Sequence, residues 1–514
     1  MTATPADPDQ DAGPPQDAGS DAHTDTRIDS PLLRLMLVML LGGVMGFLDT
    51  TIVNVGIDTL GEHFDTSLGT IEWVATGYLL AIAVTVPVSG WAAERFGGKT
   101  VWLVGLTVFL LGSALAAVAW DPGSLIAFRV LQGIGVGALE PTLLTMLARA
   151  AGPARAGKMI GIVGAVVTLG PILGPVLGGV ILEHASWRWM FLINLPIGAV
   201  ALLLAYRQIP ADPPREGDPP PLDTRGIALL CPGFAAVVYG LSQAAGDDGF
   251  TGVHVVIALV VGAGLILGYV AHALRTTTTP LVDVRLFTNR TFASGIGAVF
   301  LTGFLLFSLL FLVPLYYQLA HDRGVMAAGL LLVPQGVGVW VAMPIAGRLY
   351  DRIGARAVIP VGGALAALGI IGFSSASGDT ATGLLIAYSV VTGLGMGAVG
   401  APAMSSVFGS VPPESVPSAT AAVYLSNQIG GTFGIAIAAL VLQNRGETRA
   451  VIPAFQGTFA YLIAVAAAVG VLGLAIRKAP SATPKDDLPA PAPEAVPDAV
   501  PEAVPAEQPA GRQA

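Results

Sequence analysis

Residues 170–179 read Gly-Pro-Ile-Leu-Gly-Pro-Val-Leu-Gly-Gly and lie inside a long apolar segment, from about residue 160 to residue 182. Glycine recurs every four residues at Gly170, Gly174 and Gly178. A helix places that spacing on one face, where a neighbouring backbone can approach closely. Gly and Pro destabilise an exposed helix interior by roughly 1 and 3 kcal/mol relative to Ala, whereas a helix packed among others in a membrane tolerates them. The stretch therefore predicts a membrane-embedded packing face.

The composition of the whole chain also predicts a membrane protein. Charged residues make up 11% of the 514 residues, against roughly 25% in soluble domains. The acidic residues behind the net charge of −9 are concentrated in two Pro- and Ala-rich ends, residues 1–31 and 479–514, which we expect to be disordered. The single cysteine, Cys231, excludes an intramolecular disulfide and is expected to be a packing residue.

No sequence motif indicates an enzyme. We find no phosphate-binding loop, no histidine cluster with metal-ligand spacing and no nucleophile elbow. We therefore expect no catalytic activity, no metal, no cofactor and no nucleic-acid partner.

A spanning helix needs about 20 mostly apolar residues, and the chain contains fourteen such runs. Their approximate limits are 33–56, 71–92, 100–120, 124–148, 158–182, 188–206, 226–243, 253–274, 292–317, 326–348, 356–376, 380–402, 417–442 and 456–476. An even number of spans places both termini on one side of the membrane. Of the Lys and Arg residues that flank the runs, only Arg188, Arg323, Arg445 and Arg449 lie on the opposite side. The positive-inside rule therefore predicts cytoplasmic termini.

A ten-residue pattern occurs twice in the chain. Gly90-Trp-Ala-Ala-Glu-Arg-Phe-Gly-Gly-Lys99 and Gly347-Arg-Leu-Tyr-Asp-Arg-Ile-Gly-Ala-Arg356 share G-x-x-x-[DE]-R-x-G-x-[KR]. The copies lie eight runs apart, whereas two adjacent six-helix halves would place them six apart. This predicts an all-α polytopic protein with two six-helix bundles and two inserted helices. The expected parts are the first bundle at 32–208, a Pro-rich loop at 209–225, the inserted helices at 226–275 and the second bundle at 276–478.

These motifs resemble those of the major facilitator superfamily and, within it, the fourteen-helix drug:proton antiporters. The loop 90–99 looks like the signature between helices two and three, and residues 170–179 look like the antiporter motif of helix five. Three further stretches are similar to family patterns: Leu48-Asp-Thr-Thr-Ile-Val-Asn-Val55, Arg129-Val-Leu-Gln-Gly-Ile-Gly135 and Trp187-Arg-Trp-Met-Phe-Leu-Ile-Asn-Leu-Pro-Ile-Gly198. The resemblance covers roughly residues 32–478. The sequence departs from the pattern at Ala92, Glu94, Gly98 and Gly56-Ile-Asp58.

The resemblance implies a function as well as the major facilitator fold. It implies a monomeric secondary exporter in the bacterial cytoplasmic membrane, which moves hydrophobic or amphipathic drugs or antibiotics outward in exchange for protons, by alternating access and with the proton gradient as energy source. Three alternatives stay open. The chain could be a dedicated exporter of one endogenous metabolite, antibiotic or lipid, an importer, or a membrane sensor or scaffold without transport activity.

Three ionisable residues fall within the predicted helices. Asp49 lies fifteen residues past Arg34, and at about 1.5 Å per residue that places it within or near the hydrocarbon region rather than at its cytoplasmic edge. An ionised carboxylate costs roughly 2.5 to 3.5 kcal/mol there, so Asp49 is suited to binding and releasing a proton. The alternatives are a hydrogen bond to Thr50 or Thr51, or contact with external water.

Arg129 and Glu140 lie eleven residues apart on one helix face. Arg129 is expected to meet backbone carbonyls or a carboxylate of another helix, and the resemblance assigns it to proton coupling. Glu140 is either a second proton or cation site or a carboxyl near the end of the helix that merely touches water.

The two repeated loops carry the second set of candidates. In the first copy these are Gly90, Glu94, Arg95, Gly97 and Lys99, and in the second Asp351, Arg352 and Arg356. They are either charges that set the topology or a gating latch, in which ion pairs or helix-end contacts form in one conformation and break in the other.

The remaining candidates are the helix-five motif and polar residues within the runs. Gly170, Gly174, Pro175, Gly178 and Gly179 are expected to close the cavity between the bundles against leakage. Polar residues that either line a cavity or form hydrogen bonds between helices are Asn54, Asn194, Tyr316, Gln318, Gln335, Asn427 and Gln428.

Overall fold

The chain is mostly helical in the part that the computed structural model describes. The described residues are 29–151, 159, 162–164, 166, 170–212, 221–244, 249–276, 280–412, 415–446 and 451–476. The predicted disordered ends beyond residues 29 and 476, and the centre of the Pro-rich loop, lie outside these ranges. No strand occurs within them, so the prediction of an all-α polytopic protein is confirmed.

Fourteen long helices follow one another within the described residues, and we number them in chain order. They are α1 Ser30–Val55, α2 Trp73–Phe96, α3 Gly98–Ala117, α4 Pro122–Ala151, α5 Gly170–His184, α6 Asn194–Gln208, α7 Thr224–Gln243, α8 Val253–Arg275, α9 Arg290–His321, α10 Val333–Ile353, α11 Ala355–Ser375, α12 Thr382–Phe408, α13 Val416–Gly446 and α14 Val451–Ala475. Short helices at Ile57–His63, Leu68–Ile71, Trp189–Leu192 and Val325–Leu330, and 3-10 turns at Gly249–Thr251 and Val284–Thr288, lie between them. Thirteen spans in the described part of the chain are long and apolar enough to cross a membrane. The remaining helix, α5, is described only from Gly170 onward.

Several helices extend beyond the apolar runs that predicted them. The run 292–317 corresponds to α9, which is 32 residues long. It begins where the Asn289 side chain accepts a hydrogen bond from the Thr291 amide, and it ends at Asp322, whose φ of 52° is left-handed. Hydropathy marks the apolar length of a helix, whereas capping determines where the helix ends.

Helix pairs of the first part of the chain recur eight helices later. Helices α2 and α3 each pack on α4, just as α10 and α11 each pack on α12. The contacts of α1 with α5 and α6 correspond to those of α9 with α13 and α14. The repeated loops also share one backbone conformation, since Gly97 has φ 89° and ψ 145° and Gly354 has φ 81° and ψ 164°. The two stretches are therefore structural as well as sequence repeats.

The two inserted helices pack on each other, and α7 also contacts α2 and α13. The Trp73 and Tyr239 rings stack with centroids 5.7 Å apart. The Cys231 thiol donates to the Val84 carbonyl oxygen at 3.2 Å, in agreement with a packing role. Since α2 and α13 also contact each other, the insertion lies beside a contact between the first and second halves.

Candidate functional site

Asp49 and Arg129 form a fully buried ion pair between α1 and α4. An Arg129 Nη1 donor contacts Asp49 Oδ2 directly, and Arg129 Nε donates to the Val74 carbonyl oxygen at 3.2 Å. Both partners expected for Arg129, a carboxylate of another helix and a backbone carbonyl, are thus present. Removing one partner of a buried pair leaves an uncompensated charge and typically costs about 3 to 5 kcal/mol.

Amide and hydroxyl groups from three helices complete the surroundings of the Asp49 carboxylate. Asp49 Oδ1 accepts from Gln132 Nε2 at 3.0 Å and from Asn194 Nδ2 at 2.8 Å. Both amides also donate to Ser113 Oγ, at 3.1 and 3.0 Å. The Gln132 carbonyl oxygen accepts from Arg129 at 2.7 Å. Side chains of Arg129, Gln132 and Asn194 thus donate to the two carboxylate oxygens of Asp49.

Tyr78 of α2 covers the guanidinium group of Arg129. The guanidinium carbon lies 3.9 Å from the centroid of the Tyr78 ring, within cation–π distance. The Tyr78 hydroxyl donates to the Gly46 carbonyl oxygen of α1 at 3.0 Å. The Asp49 pair is therefore tied to α2 as well as to α1, α3, α4 and α6.

The alternative surroundings considered for Asp49 are not observed. Thr50 Oγ1 donates to the Gly46 carbonyl oxygen at 2.9 Å, and Thr51 Oγ1 donates to that of Phe47 at 3.1 Å. Both hydroxyls thus bond to their own helix rather than to Asp49. Asp49 is also fully buried, which excludes a position in external water.

A cavity of about 260 Å³ lies beside this network and is lined by both halves of the chain. Its walls are mostly apolar and include Phe47, Leu143, Phe307, Met343, Met396 and Met404. Thr50 and Thr51 also line it, although Asp49 itself does not appear among the described lining residues. The Asp49–Arg129 ion pair and the cavity are thus separate features, and residues of α1 contribute to both.

Glu140 faces the cavity rather than the Asp49 pair. It is 6% exposed and lines the cavity with Asn427 and Gln428. Arg129 and Glu140 share a face of α4 but have different neighbours, because eleven residues at about 1.5 Å each separate them by about 16 Å along the helix axis.

The other polar candidates have separate positions. Asn194 belongs to the Asp49 network. Gln335 is buried, and its Nε2 lies 3.7 Å from Met396 Sδ. The Tyr316 hydroxyl donates to the Ser377 carbonyl oxygen at 3.3 Å. Gln318 is partly exposed and Asn54 is exposed, and neither is among the described residues that line the cavity.

The glycines of the helix-five motif pack against α1. Cβ atoms at Gly174 and Gly178 would stand 3.2 Å from the Ile52 amide nitrogen and 3.1 Å from the Ile52 carbonyl oxygen, respectively. Thr51 Oγ1 also lies 3.2 Å from the Gly170 carbonyl oxygen, and donates to it. These neighbours lie in the first half of the chain, whereas α5 also contacts the short helix Val325–Leu330 of the second half, so the expected closure of the cavity between the bundles stays a prediction. Four-residue spacing creates a face for close approach, but it does not specify the partner. Gly179 is partly exposed, and the Pro175 side chain lies outside the described side chains.

The first repeated loop is anchored to the end of α6. Lys99 Nζ donates to the carbonyl oxygens of Tyr206 and Ile209, at 3.0 and 2.6 Å. Asp212 accepts from the Gly98 and Lys99 amides, at 2.9 and 3.2 Å, and so caps α3. The helix-end contacts considered for this loop are therefore present within the first half.

Other residues of the repeated loops lie at the surface or at a contact between halves. The Arg95 guanidinium lies 5.7 Å from the centroids of both the Trp91 and Phe96 rings. Glu94 is half-buried at the end of α2, and Asp351, Arg352 and Arg356 are exposed. A Cβ atom at Gly90 would lie 3.3 Å from Pro417 Cβ of α13.

Gln132, Ser113, Tyr78 and Asp212 are site residues that the sequence reasoning did not select. Gln132 carried a usable signal, since it follows Arg129 by three residues and must share its helix face. Ser113 and Tyr78 lie on other helices, and Asp212 lies 113 residues from Lys99. Nothing in the local sequence indicates which groups they meet.

Comparison with known proteins gave matches over most of the chain. Residues 39–339 and 319–506 match the sequence profile described as Major Facilitator Superfamily. A Multidrug resistance protein B homolog of Mycobacterium tuberculosis is 36% identical over 433 residues, which are 84% of this chain and 79% of that protein. The Lincomycin resistance protein LmrB of Listeria innocua is 30% identical, over 78% of this chain and 85% of that protein. Among solved structures, the crystal structure of the human organic anion transporter MFSD10 (TETRAN) aligns with a TM-score of 0.57 and 16% identity, and covers 85% of this chain and 100% of that one.

Proposed function

Because the chain belongs to the major facilitator superfamily, as its motifs predicted, we propose that it is a proton-coupled exporter of hydrophobic or amphipathic drugs or antibiotics. The predicted fold of about fourteen helices is confirmed. The protein is a multi-pass membrane transporter, and members of this superfamily are generally not enzymes.

The names of the relatives support drug export. One is a multidrug resistance homologue and the other a lincomycin resistance protein, and resistance by a transporter requires that the drug leaves the cell. The apolar walls of the cavity suit a hydrophobic or amphipathic molecule, since small-molecule sites are mostly apolar with a few polar groups. Residues 170–179 of α5 form the motif whose family resemblance favours antiport.

The observation that carries the proposal is the buried pair of Asp49 and Arg129. A buried carboxylate whose charge is balanced by one arginine is a position where a single proton changes the local electrostatics strongly. A proton that binds the Asp49 carboxylate removes its negative charge. The attraction that holds α1 to Arg129 on α4 is then lost, and the hydrogen bonds from Gln132 and Asn194 weaken.

The residues next to Asp49 in the chain connect its protonation to the cavity. Thr50 and Thr51 follow Asp49 directly and line the cavity, so a movement of α1 reshapes the substrate site. We therefore propose the following cycle. A proton from outside binds Asp49, substrate leaves outward, and the return to the inward state releases the proton inside as Asp49 pairs again with Arg129. The two six-helix bundles rock about the cavity between these states.

The proposed orientation follows from charge placement. Lys and Arg flank the predicted spans mostly on the side of the termini, so we propose that both termini face the cytoplasm of a bacterial cell. No cofactor is required in this scheme, because the proton gradient supplies the energy. We propose a monomer as the working unit.

Transport by purified protein in liposomes tests this function. With a pH gradient imposed, lincomycin movement and internal pH are recorded for the native protein and for Asp49→Asn. We expect the native protein to move lincomycin against protons and the variant to lose pH-driven movement while it still exchanges labelled for unlabelled lincomycin. If pH-driven transport persists undiminished in Asp49→Asn, Asp49 is not the coupling residue.

The matched control is Glu62→Gln, which makes the same type of change at an exposed carboxyl. It should transport normally.

The alternatives give different results in the same assay. An importer moves substrate in the direction of the protons, a dedicated exporter responds to one compound out of a structurally varied panel, and a sensor gives no proton movement with any compound.

A further inference from the structure

The two inserted helices, α7 and α8, are joined at one end by a contact between a histidine and a buried carboxylate. His272 Nε2 of α8 lies 2.8 Å from Asp223 Oδ1 at the start of α7, and it donates to that oxygen because a carboxylate can only accept. The same oxygen accepts from the Gly226 amide at 2.8 Å and so caps α7. The Asp223 side chain is 5% exposed, and its Oδ2 atom has no hydrogen-bond partner among the described residues. A protonated His272 therefore brings a positive charge to a carboxylate that is only partly satisfied.

The same end of α8 holds the linking segment, residues 280–289, which leads to α9. The Tyr269 hydroxyl of α8 donates to the Val282 carbonyl oxygen at 2.8 Å and accepts from the Val282 amide at 2.7 Å. Arg285 Nη2 donates to the carbonyl oxygens of Leu274 and Thr276, at 3.2 and 3.0 Å. The linking segment is thus attached to α8 at two places.

The linking segment also reaches the second half of the chain. The Asp283 amide donates to Ser418 Oγ of α13 at 2.6 Å, and the preceding residue, Pro417, lies against α2. On the other side, α7 is attached to α2, where the Cys231 thiol donates to the Val84 carbonyl oxygen. The inserted helices therefore connect α2 of the first half with α13 of the second half, beside the place where these two helices meet.

We propose that α7 and α8 form a pH-dependent clamp, in which protonation of His272 strengthens its contact with Asp223 and so holds α13 against α2. The inference rests on the proposed export function and adds a regulation of its rate. A hydrogen bond between an imidazolium and a carboxylate is roughly twice as strong as one between neutral groups. Rocking of the halves must change the contact between α2 and α13, so a stronger clamp slows the transport cycle. Protons that enter by antiport, on the side proposed to be cytoplasmic, then limit their own further entry.

The charge of His272 changes among groups of other types. Helix α8 packs on α7 and on the turn Val284–Thr288. The other titratable and charged residues on these elements near the contact are Tyr269 and Arg275 on α8, Asp223, Arg225 and Cys231 on α7, and Asp283 and Arg285 on the linking segment. Histidine is the side-chain type in this set whose ordinary pKa lies between about 5 and 8. The clamp should therefore tighten as pH falls through this range.

The pH profile of transport tests the sensor. Lincomycin transport is measured in liposomes at a fixed pH difference, while the pH of both sides is raised together from about 6 to about 8. His272→Gln retains a hydrogen-bond donor but carries no charge, so it should transport about two- to fivefold faster than native protein at the low end and equally fast at the high end. Titration of Asp49 affects both proteins alike. The matched control is His254→Gln, at an exposed histidine of the same helix, which should follow the native profile.

Variants of Ser418 test the connection to α13. Ser418→Ala removes the acceptor of the Asp283 amide and should give the same profile as His272→Gln, whereas Ser418→Thr retains a hydroxyl and should follow the native profile. If His272→Gln follows the native profile, His272 is not the sensor. If Ser418→Ala follows it while His272→Gln does not, the sensor does not act through α13, and the clamp is wrong.

A distance measurement separates the clamp from the export function. Spin labels are placed at the exposed ends of α2 and α10, with Phe96→Cys and Ile353→Cys in a Cys231→Ser background, and their separation is recorded by electron paramagnetic resonance in detergent. We expect the distance distribution to narrow as pH falls in this protein, but not when His272→Gln is added. A distribution that does not change with pH would overturn the clamp. The measurement uses no gradient and no substrate, so a pH-dependent distance without pH-driven transport would contradict the export function and leave the clamp intact.

Discussion

Thr51 of α1 and Gly174 of α5 touch so closely that no side chain fits between the two helices at this point. The Thr51 hydroxyl and Cβ occupy the space that a Cβ atom on residue 174 would need, and the Ile52 amide nitrogen lies 3.2 Å from that position. Asp49 is two residues from Thr51. The glycines of α5 therefore determine how α1 presents both its buried carboxylate and its cavity-lining threonines.

A side chain at residue 174 should disturb coupling rather than folding. We expect Gly174→Leu to reach the membrane and to lose or uncouple export, because α1 must move away from α5 and carries Asp49 with it. Gly174→Ala should lower transport to a smaller extent. The measurement is pH-driven lincomycin transport in liposomes, with the amount of inserted protein determined in parallel.

The control for this series is Gly264→Ala in α8. A Cβ atom at Gly264 meets nothing within 4 Å, so this change adds a methyl group to a helix without a steric conflict and should leave transport unaltered. Normal coupled export in Gly174→Leu would mean that the close contact with Thr51 has no role in coupling.

The Asp49–Arg129 pair predicts an order of stability among three variants. Asp49→Asn leaves the guanidinium uncompensated, and Arg129→Gln leaves the carboxylate uncompensated. Each should therefore lower the free energy of unfolding, by about 3 to 5 kcal/mol if the charge stays buried. The double variant, which retains the amide hydrogen-bonding groups but carries neither charge, should recover much of that loss. Thermal unfolding of purified protein in detergent measures all three.

Recovery of stability should not restore coupling. The double variant lacks the titratable group of the proposed cycle, so its pH-driven transport should stay absent although it is folded. Additive losses in the double variant would show that the two side chains act independently, against the direct contact in the structure.

The sequence predicted the helices and the buried charges better than it predicted their neighbours. Fourteen apolar runs identify the helices because twenty apolar residues have few alternatives to spanning a bilayer. Asp49, Arg129 and Glu140 could be selected because ionisable groups are rare within such runs. Periodicity gives the face on which a residue lies, but the partner of that face depends on how helices pack.

Two contacts show that the sequence does not predict the partner of a helix face. The four-residue glycine spacing of α5 predicted a close contact, yet its partner proved to be α1 in the same half. Asn194 was one of several polar residues in apolar runs, and only the packing of α6 on α1 and α3 brings its amide to Asp49. The Lys99 contacts with the end of α6 likewise depend on tertiary structure.

Gly90 and Pro417 offer a way to test rocking between the halves. In the structure, a Cβ at residue 90 would lie 3.3 Å from Pro417 Cβ, close to the roughly 3.5 to 4.5 Å that a disulfide requires. In a Cys231→Ser background, Gly90→Cys/Pro417→Cys should form a disulfide under mild oxidation. Since this bond joins α2 of one half to α13 of the other, we expect it to stop lincomycin transport, and reduction should restore it.

A second cysteine pair shows whether the effect arises from joining the halves. A Cβ at Gly105 of α3 would also lie 3.3 Å from the Cβ of Ala138 on α4, and both helices belong to the first half. If each half moves as a rigid body, the disulfide of Gly105→Cys/Ala138→Cys leaves transport intact, whereas the bond between residues 90 and 417 arrests it. Transport that continues at the native rate with the bond between residues 90 and 417 fully formed would require α2 and α13 to stay together throughout the cycle, and alternating access would then need a movement at other helices.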